Sequence, residues 1–212
     1  MNFATFFKYV QDAPWYDHFL EPALAALRPL PTGAKLLDIG TGAGRFIELA
    51  QTQLDLEGVG SDTNAAMLAE AKKRLSLAET PLHLVREDEP LPFVDASFDA
   101  VAICSVLFLL DDPEPLLQEA MRVLHPNGRL VILTPTGNGR LQLSLFRQVG
   151  LSIHNWTFFM WRRMTRGKGR LWIAANPLAA FAKENQLNYD SEVGFQGLAI
   201  AEVLTVNRLS AL

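Results

Sequence analysis

The sequence feature that most restricts the fold is a short apolar run that leads directly into three closely spaced glycines, Lys35-Leu-Leu-Asp-Ile-Gly-Thr-Gly-Ala-Gly44. The apolar run predicts a buried strand. Gly40, Gly42 and Gly44 let the backbone turn sharply and approach a ligand without a clash from a Cβ atom. Residues 45–53 then predict a helix, whose first N–H groups lack partners inside the helix. The segment therefore predicts a ligand-binding turn at the carboxyl end of a strand in a parallel sheet.

The chain continues this pattern, because predicted strands and helices alternate as far as Thr134. Such a βα repeat is typical of an α/β, Rossmann-like, doubly wound fold with a mostly parallel sheet and helices on both faces. Two closing antiparallel strands complete seven, with the last strand antiparallel. The predicted strands are 35–39, 56–61, 82–85, 98–103, 129–134, 187–195 and 198–206, and the predicted helices are 3–27 with a break near Pro14, 45–53, 65–77, 113–123, 141–149, 153–163 and 177–185.

With 212 residues, of which 49% are hydrophobic, the chain is expected to form one domain with a sizeable core. We expect a helical cap over residues 1–30, a ligand-binding core over 35–134, a variable segment over 141–172, and a closing helix and strands over 177–207. The single cysteine, Cys104, excludes a zinc site of several thiolates, and no metal is expected. No run reaches the ~20 apolar residues of a membrane-spanning helix, and no signal-peptide core follows a basic start, so a cytoplasmic protein is expected.

The spacing of the glycines distinguishes between two cofactor classes that use such a turn. Dinucleotide sites have the pattern Gly-x-Gly-x-x-Gly, and in this chain their third glycine falls on Arg45. The observed Gly-x-Gly-x-Gly, preceded by Asp38, resembles motif I of the class I methyltransferases. This resemblance implies S-adenosyl-L-methionine as the cofactor and S-adenosyl-L-homocysteine as the product. It assigns Asp38, Gly40, Gly42 and Gly44 to the cofactor site.

The end of the second predicted strand supplies the next match, Asp62. In the family an acidic residue at this place accepts hydrogen bonds from the ribose hydroxyls, and the residues after it line the adenine. The resemblance therefore implies that Thr63 and Met67 contact the adenine. The alternative is that Asp62 only caps the helix that begins near Ala65. The glycine turn at the right distance favours the ligand role.

The segment Glu87-Asp-Glu-Pro-Leu-Pro-Phe93 resembles the family's Gly-Asp-Ala-x-x-Leu-Pro-Phe segment. In the family, its aspartate accepts from the adenine amino group, and the next backbone N–H donates to the ring. Counting back from Phe93 puts the place of that aspartate on Glu87 and the N–H on Asp88. The adenine contact is therefore open between these two residues, and a solvated acidic loop is the alternative.

Two further segments complete the ordered set, which covers nearly half of the chain. Ser97-Phe-Asp-Ala-Val-Ala-Ile-Cys-Ser105 resembles the fourth strand of the family, whose end passes the sulfonium, which implies that Cys104 and Ser105 lie there. Arg122-Val-Leu-His-Pro-Asn-Gly-Arg-Leu130 resembles a structural turn of the family, in which Asn127 replaces a glycine and tolerates left-handed geometry. The resemblance is closest to the small bacterial methyltransferases that include the ubiquinone/menaquinone and phospholipid-methylating enzymes.

The resemblance implies methyl transfer to a small acceptor of lipophilic or amphiphilic character, in which alignment of an already activated donor carries much of the rate. One alternative is a non-catalytic module that binds the cofactor, and a less favoured one is an NAD-linked oxidoreductase. In the family a helix before the first strand covers the cofactor, so Tyr9, Trp15 and Tyr16 are candidates for this cover. Tyr16 and His18 are the candidate catalytic groups, with simple packing of the helix as the alternative.

The segment 153–170 lies outside the resemblance and is aromatic first and basic afterwards. It is open to four interpretations: a substrate cap, an attachment to an anionic membrane surface, a nucleic-acid contact, or a packed helix followed by a solvated basic loop. The cap and the helix with its loop are favoured over membrane contact. Nucleic acid comes last, because the net charge is −4. The oligomeric state is open.

Overall fold

The computed structural model describes residues 3–139 and 155–206. The helices are α1 (Phe3–Gln11), α2 (Pro14–Leu27), α3 (Arg45–Leu54), α4 (Ala65–Arg74), α5 (Glu114–Val123), α6 (Trp156–Ala175) and α7 (Pro177–Glu184). The strands are β1 (Lys35–Ile39), β2 (Glu57–Asp62), β3 (Leu82–Leu84), β4 (Phe98–Cys104), β5 (Leu124–Pro135), β6 (Leu187–Gly194) and β7 (Ala199–Val206).

The seven strands form one sheet in the order β3-β2-β1-β4-β5-β7-β6, and β7 runs antiparallel to both of its neighbours. The pairs among the first five strands are parallel. This confirms the predicted doubly wound sheet with an antiparallel last strand. The strand order reverses between β1 and β4, which is the point where open α/β sheets place their ligands.

Alternate side chains of the central strands face opposite sides of the sheet. In β1, Leu36 belongs to one core and Leu37 to the other, and both are fully buried. The first core contains side chains of α1, α2, α3 and the start of α6, and the second contains side chains of α5, α7 and the end of α6. β4 is apolar along nearly its whole length, as a strand covered on both faces must be.

The helix α6 differs most from its prediction. A helix over 153–163 followed by a basic loop is wrong, because α6 continues through the basic residues to Ala175. The positions of its two glycines explain how the helix continues. Gly167 is exposed, and Gly169 lets the helix cross the end of β5, where a Cβ atom would lie 2.1 Å from the carbonyl oxygen of Pro135. The predicted helix 141–149 lies outside the described residues.

The turn predicted within residues 122–130, before a strand that begins at Arg129, is also wrong in form. β5 begins at Leu124, and its register with β4 breaks between the pairs Phe98–Leu124 and Ala100–Arg129, so β5 bulges there. Asn127 does not adopt a left-handed backbone. Its N–H instead donates to Nδ1 of His125 at 3.2 Å.

Over the described ranges, no helix has the length and apolar character needed to span a membrane. The same ranges contain no group of three or more His, Cys, Asp or Glu side chains placed to hold a metal ion.

Candidate functional site

The glycine turn has the backbone geometry that its sequence predicts. Gly40, Gly42 and Gly44 have positive φ angles of 77°, 58° and 82°, which other residues adopt only at a cost. The N–H groups of Gly40 and of the residue after it both donate to the carbonyl oxygen of Ser61, at 2.8 and 3.0 Å. The turn is thereby fastened to the end of β2.

The turn has no room for side chains. A Cβ atom on Gly40 would lie 2.4 Å from Cγ2 of Val106, and one on Gly42 would lie 2.5 Å from Nε2 of Gln11. Gln11 is a buried residue of α1, and its Oε1 accepts from the N–H of Arg45 at 3.4 Å. This contact partly caps α3, because the preceding glycine offers no side chain. Sequence reasoning missed Gln11, since nothing in its own helix distinguishes it from a packing residue.

Asp62 links the glycine turn to the loop before α4. Its Oδ2 accepts from the N–H of Gly42 and its Oδ1 from the N–H of Asn64, both at 2.8 Å. The alternative in which Asp62 caps α4 is wrong, because Oδ1 of Asn64 accepts from the second and third N–H groups of that helix. Met67 is buried, with its methyl group 3.1 Å from the place of a Cβ on Gly42, whereas Thr63 is exposed.

Asp38, at the carboxyl half of β1, is buried, and its Oδ1 has no hydrogen-bond partner among the described residues. Burial raises the pKa of Asp38 to about 7, the charge of Asp62 adds to the rise, and the nearby hydroxyl of Thr41 opposes it. A carboxyl group of this kind is balanced between its two forms near neutral pH. A cation in its vicinity would favour the charged form.

Two further buried hydroxyl groups at this edge of the sheet lack hydrogen-bond partners within the described chain: those of Ser61 and Ser105. Buried polar groups are normally paired, so a group of them at one edge fits a site for a polar ligand. Ser105, directly after β4, also has a φ angle of 62°. Backbone strain of this kind is concentrated at functional sites. The edge therefore fits a polar, positively charged cofactor.

Cys104 and Tyr16 are buried close to Asp38. Burial raises the pKa of the Cys104 thiol, and the charge of Asp38 adds to this rise. Burial also raises the pKa of the Tyr16 phenol, with smaller contributions from Cys104 and Asp38. Both groups therefore keep their protons at neutral pH.

The other aromatic candidates lie elsewhere. His18 is exposed and stacks on Phe195 with ring centroids 6.4 Å apart. Trp15 is fully buried, and its Nε1 donates to Oγ1 of Thr157 in α6 at 3.0 Å. Tyr9 is exposed. The structure thus brings Tyr16 close to Asp38, and it uses Trp15 to join α2 to α6.

Glu87 and Asp88 are both exposed in the loop after β3. The guanidinium of Arg86 lies 3.6 Å from Asp88 and 3.3 Å from Glu89, and such exposed ion pairs contribute little stability. The choice between Glu87 and Asp88 as the adenine contact stays a prediction.

Arg122 joins two of the segments that sequence reasoning treated separately. It donates to the carbonyl oxygens of Leu91 and Phe93 at 3.0 and 2.9 Å. Glu119, which forms an ion pair with Arg122 at 2.8 Å, accepts from the N–H of Leu91 at 2.8 Å. Residues 91–93 are therefore held against α5, and they follow directly on the acidic loop.

Charged residues fasten the amino-terminal helices beside the turn. Arg45 donates to both carboxylate oxygens of Asp17, at 2.8 and 2.6 Å, and to Glu48 at 2.7 Å. Arg74 of α4 donates to Glu48 at 2.9 Å and also to Asp12. Burial alone would raise the pKa of Glu48, but the hydrogen bonds from Arg74 and Arg45 lower it. Sequence spacing cannot reveal this network, because its long-range partners are 26 to 62 residues apart.

Comparisons with known proteins agree with this geometry. Residues 37–132 match the family described as a methyltransferase domain. A demethylmenaquinone methyltransferase of Thermotoga maritima is 39% identical over 100 residues, 47% of this chain and 42% of that protein. A ubiquinone/menaquinone biosynthesis C-methyltransferase of Desulfotalea psychrophila is 36% identical over 107 residues, 50% of this chain and 43% of that protein. The chain thus spans less than half the length of these relatives.

Among solved structures, an S-adenosylmethionine-dependent methyltransferase from Aquifex aeolicus has a similar fold. Its TM-score is 0.61 at 16% identity, over 89% of this chain and 92% of that one. At this identity the likeness concerns the fold alone. It extends beyond residues 37–132 to most of the chain.

Proposed function

Since residues 37–132 match a methyltransferase domain, we propose that this chain is a class I S-adenosylmethionine-dependent enzyme that transfers a methyl group from S-adenosyl-L-methionine to a small acceptor. The observation that carries the proposal is the glycine turn with Asp62. Three glycines with positive φ are fastened to the end of β2, and a carboxylate oxygen of Asp62 accepts from Gly42 in the middle of the turn.

We propose that the end of β2 and the loop after β3 hold the nucleoside. Each oxygen of Asp62 accepts one backbone N–H and keeps acceptor capacity for a ribose hydroxyl. Met67 and Thr63 line the adenine, and Glu87 or Asp88 accepts from its amino group. When bound, the cofactor supplies an activated methyl group on a positively charged sulfonium.

The polar groups at the ends of β1 and β4 serve the reacting end of the site in this proposal. Asp38 provides a buried carboxylate that a cation would stabilise. Ser105 and Cys104 lie at the end of β4 and line this region. Tyr16 keeps its proton at neutral pH, so its role is to donate a hydrogen bond that orients the acceptor, and a general base, if the acceptor needs one, is supplied otherwise. His18, exposed on α2, is the less favoured candidate.

We infer a lipophilic or amphiphilic acceptor. The relatives named above are methyltransferases of quinone biosynthesis by their names. The helices beside the candidate site also contribute aromatic side chains, including Phe6 and Trp156. In this proposal α1 and α2 form the cap, residues 35–134 the cofactor core, and α6 the variable acceptor-side element of one domain. A cytoplasmic location stays a prediction.

Binding of the cofactor is tested by titration calorimetry of the full chain with S-adenosyl-L-methionine, S-adenosyl-L-homocysteine and NAD. We expect both adenosyl ligands to bind and NAD not to bind. Asp62→Ala should weaken the binding at least tenfold, which is about 1.4 kcal/mol. Asp111→Ala, which removes an exposed loop carboxylate outside the glycine turn, should leave it unchanged. Binding of NAD alone would contradict the proposal and favour the oxidoreductase.

Catalysis is tested by incubating the protein with labelled S-adenosyl-L-methionine and fractionated lipid and metabolite extracts. Transfer of label to an extractable small molecule is the expected result. If the cofactor binds and no fraction is labelled above the level of the Asp62→Ala variant, the chain is a non-catalytic binding module.

A further inference from the structure

The helix α6 has a charge distribution that the proposed function does not use. Its 20 residues include no acidic side chain. Taking its five positive charges from the net charge of −4 leaves −9 for the rest of the chain. The charge of the protein is therefore strongly segregated toward one helix. The basic residues are Arg162, Arg163, Arg166, Lys168 and Arg170.

The same helix is apolar on two opposite sides. Its buried side packs into the protein through residues such as Phe158, Trp161 and Trp172. Its outer side carries large apolar residues at the helical spacing i, i+4, i+8 and i+15, beginning at Trp156. Met164 is 52% exposed and Leu171 is 73% exposed. Solvent-exposed apolar residues in one row along a helix differ from the scattered ones that ordinary surfaces carry.

The cations of α6 are not neutralised within the described part of the chain, where none of them forms an ion pair with a carboxylate. Lys168 donates to the carbonyl oxygen of Leu109, and Arg170 to that of Gly137, each at 3.0 Å. Arg163 and Arg166 are exposed. Their guanidinium groups are thus available to an anionic partner.

We propose that this side of α6 docks on the surface of an anionic lipid bilayer. The outer face of α6 is defined by Trp156, Met160, Arg163, Met164, Arg166 and Leu171. An amphipathic helix with cations beside a row of large apolar residues lies flat at a membrane interface, with the apolar side chains below the headgroups and the cations among them.

A bilayer explains this face better than a nucleic acid does. Nucleic-acid surfaces combine phosphate-binding cations with aromatic side chains on which bases stack. Three of the five exposed large apolar side chains of α6, those of Met160, Met164 and Leu171, have no ring, and the other two are Trp156 and Phe159. Apolar side chains of every kind gain from entering the acyl boundary of a bilayer.

The helix α6 passes the edge of the sheet that carries the candidate site. The ring of Trp156 contacts Phe6 of α1 with centroids 6.0 Å apart, and Gly169 crosses the end of β5 at Pro135. On the proposed function, a lipophilic acceptor could then pass from the bilayer to the site without crossing much water. Docking itself requires neither cofactor nor activity, so it can be tested apart from methyl transfer.

The experiment is co-sedimentation of the full chain, without cofactor, with vesicles of phosphatidylcholine alone or mixed with phosphatidylglycerol. We expect binding to the anionic vesicles only, weakened by added salt. Arg163→Gln with Arg166→Gln should weaken it about 30-fold, because each basic residue at an anionic surface contributes about 1 kcal/mol. The control, Lys72→Gln with Lys73→Gln on α4, removes the same charge elsewhere and should change binding less than about twofold.

The apolar contribution is tested by Met164→Ser with Leu171→Ser, which we expect to weaken binding at least tenfold. Leu77→Ser with Val94→Ser, at exposed positions outside α6, is the matched control. Trp156→Phe reports the contact directly. It should keep the binding and remove most of the fluorescence quenching by brominated lipids, since the ring of Trp156 is the partly exposed indole of α6.

Three results would overturn the proposal. One is equal binding to neutral and anionic vesicles, or none to either. Another is an equal effect of the α6 pairs and their controls, with circular dichroism confirming that each variant is folded. The third is displacement of the protein from vesicles by a single-stranded oligonucleotide that binds more tightly, which would assign the outer face of α6 to nucleic acid.

Discussion

Alanine substitutions at two glycines of α6 test the packing of this helix, because the expected changes in the free energy of unfolding have opposite signs. Gly167 has open space where a Cβ atom would project, whereas a Cβ atom on Gly169 would lie 2.1 Å from the carbonyl oxygen of Pro135. Alanine stabilises a helix interior relative to glycine by about 1 kcal/mol. At Gly169 this gain is opposed by a backbone oxygen, which cannot rotate away as the end of a side chain can.

We therefore expect Gly167→Ala to raise the free energy of unfolding by up to about 1 kcal/mol. Crowding of a packed interior by one methyl group costs about 1–3 kcal/mol, and a contact this short with backbone belongs at the upper end. After the helix gain is subtracted, Gly169→Ala should lower the free energy of unfolding by about 1–2 kcal/mol. For a chain of about 200 residues, each kcal/mol moves Tm by about 2–4 °C.

The measurement is urea unfolding followed by far-ultraviolet circular dichroism, with thermal unfolding alongside. An unchanged m-value in both variants would assign the differences to stability rather than to compactness. A Gly169→Ala variant as stable as the parent would refute the close crossing of α6 over Pro135. A loss of stability in Gly167→Ala would refute a continuous helix through the basic residues.

Three further substitutions test the site and its supports. Between the ordinary pKa of 3.8 and the folded pKa of about 7, Asp38 is protonated in the folded protein and ionised in the unfolded chain, so its contribution to stability falls by about 4 kcal/mol as pH rises through this window. Asp38→Asn should remove this fall when the free energy of unfolding is measured in urea from pH 4 to 8. Equal falls in both proteins would contradict the assignment. Asp17→Asn breaks the contact of both carboxylate oxygens with Arg45 and should lower the free energy of unfolding by about 1 kcal/mol. Backbone amides of α2 should then exchange their hydrogens faster, and unchanged exchange would contradict this role. Arg122→Gln removes the hydrogen-bond donors to residues 91–93 and should lower the free energy of unfolding by about 1–3 kcal/mol. Proteolysis of that loop should become faster. An unaltered cleavage rate would show that the loop is held by other contacts.

The geometry of the glycine turn could be predicted from sequence because its information is local. Three glycines at fixed spacing need positive φ angles, and the structure has those angles at all three. The place of Asp62 could also be predicted, because it ends the neighbouring strand and ligands of open α/β sheets bind at the carboxyl ends of the strands. Its competing assignment as a cap could not be rejected from sequence, because Asn64, two residues later, is an equally good cap by type.

The supports of the turn could not be predicted, because their partners are distant in sequence. Nothing near Gln11 indicates that its side chain reaches Gly42, and nothing near Asp17 indicates a contact with Arg45. The continuous α6 was missed for a different reason. Two glycines among cations usually indicate a loop, and only the approach to Pro135 explains why a helix needs a glycine at position 169.

Two buried acidic residues show why the unpaired polar atoms give support that is independent of the glycine motif. Glu202 lies within β7, burial raises its pKa, and one of its oxygens accepts from the hydroxyl of Tyr189 at 2.7 Å. Its other oxygen has no partner among the described residues, as is also true of Oδ1 of Asp38, so one unpaired carboxylate oxygen does not by itself indicate a ligand. Asp38 differs from Glu202 in its surroundings, because its edge of the sheet also carries the unpaired hydroxyls of Ser61 and Ser105, and Ser105 has a strained backbone. A fold selected for stability alone gains nothing from this arrangement, so its location at the glycine turn is best explained by a polar ligand that completes it.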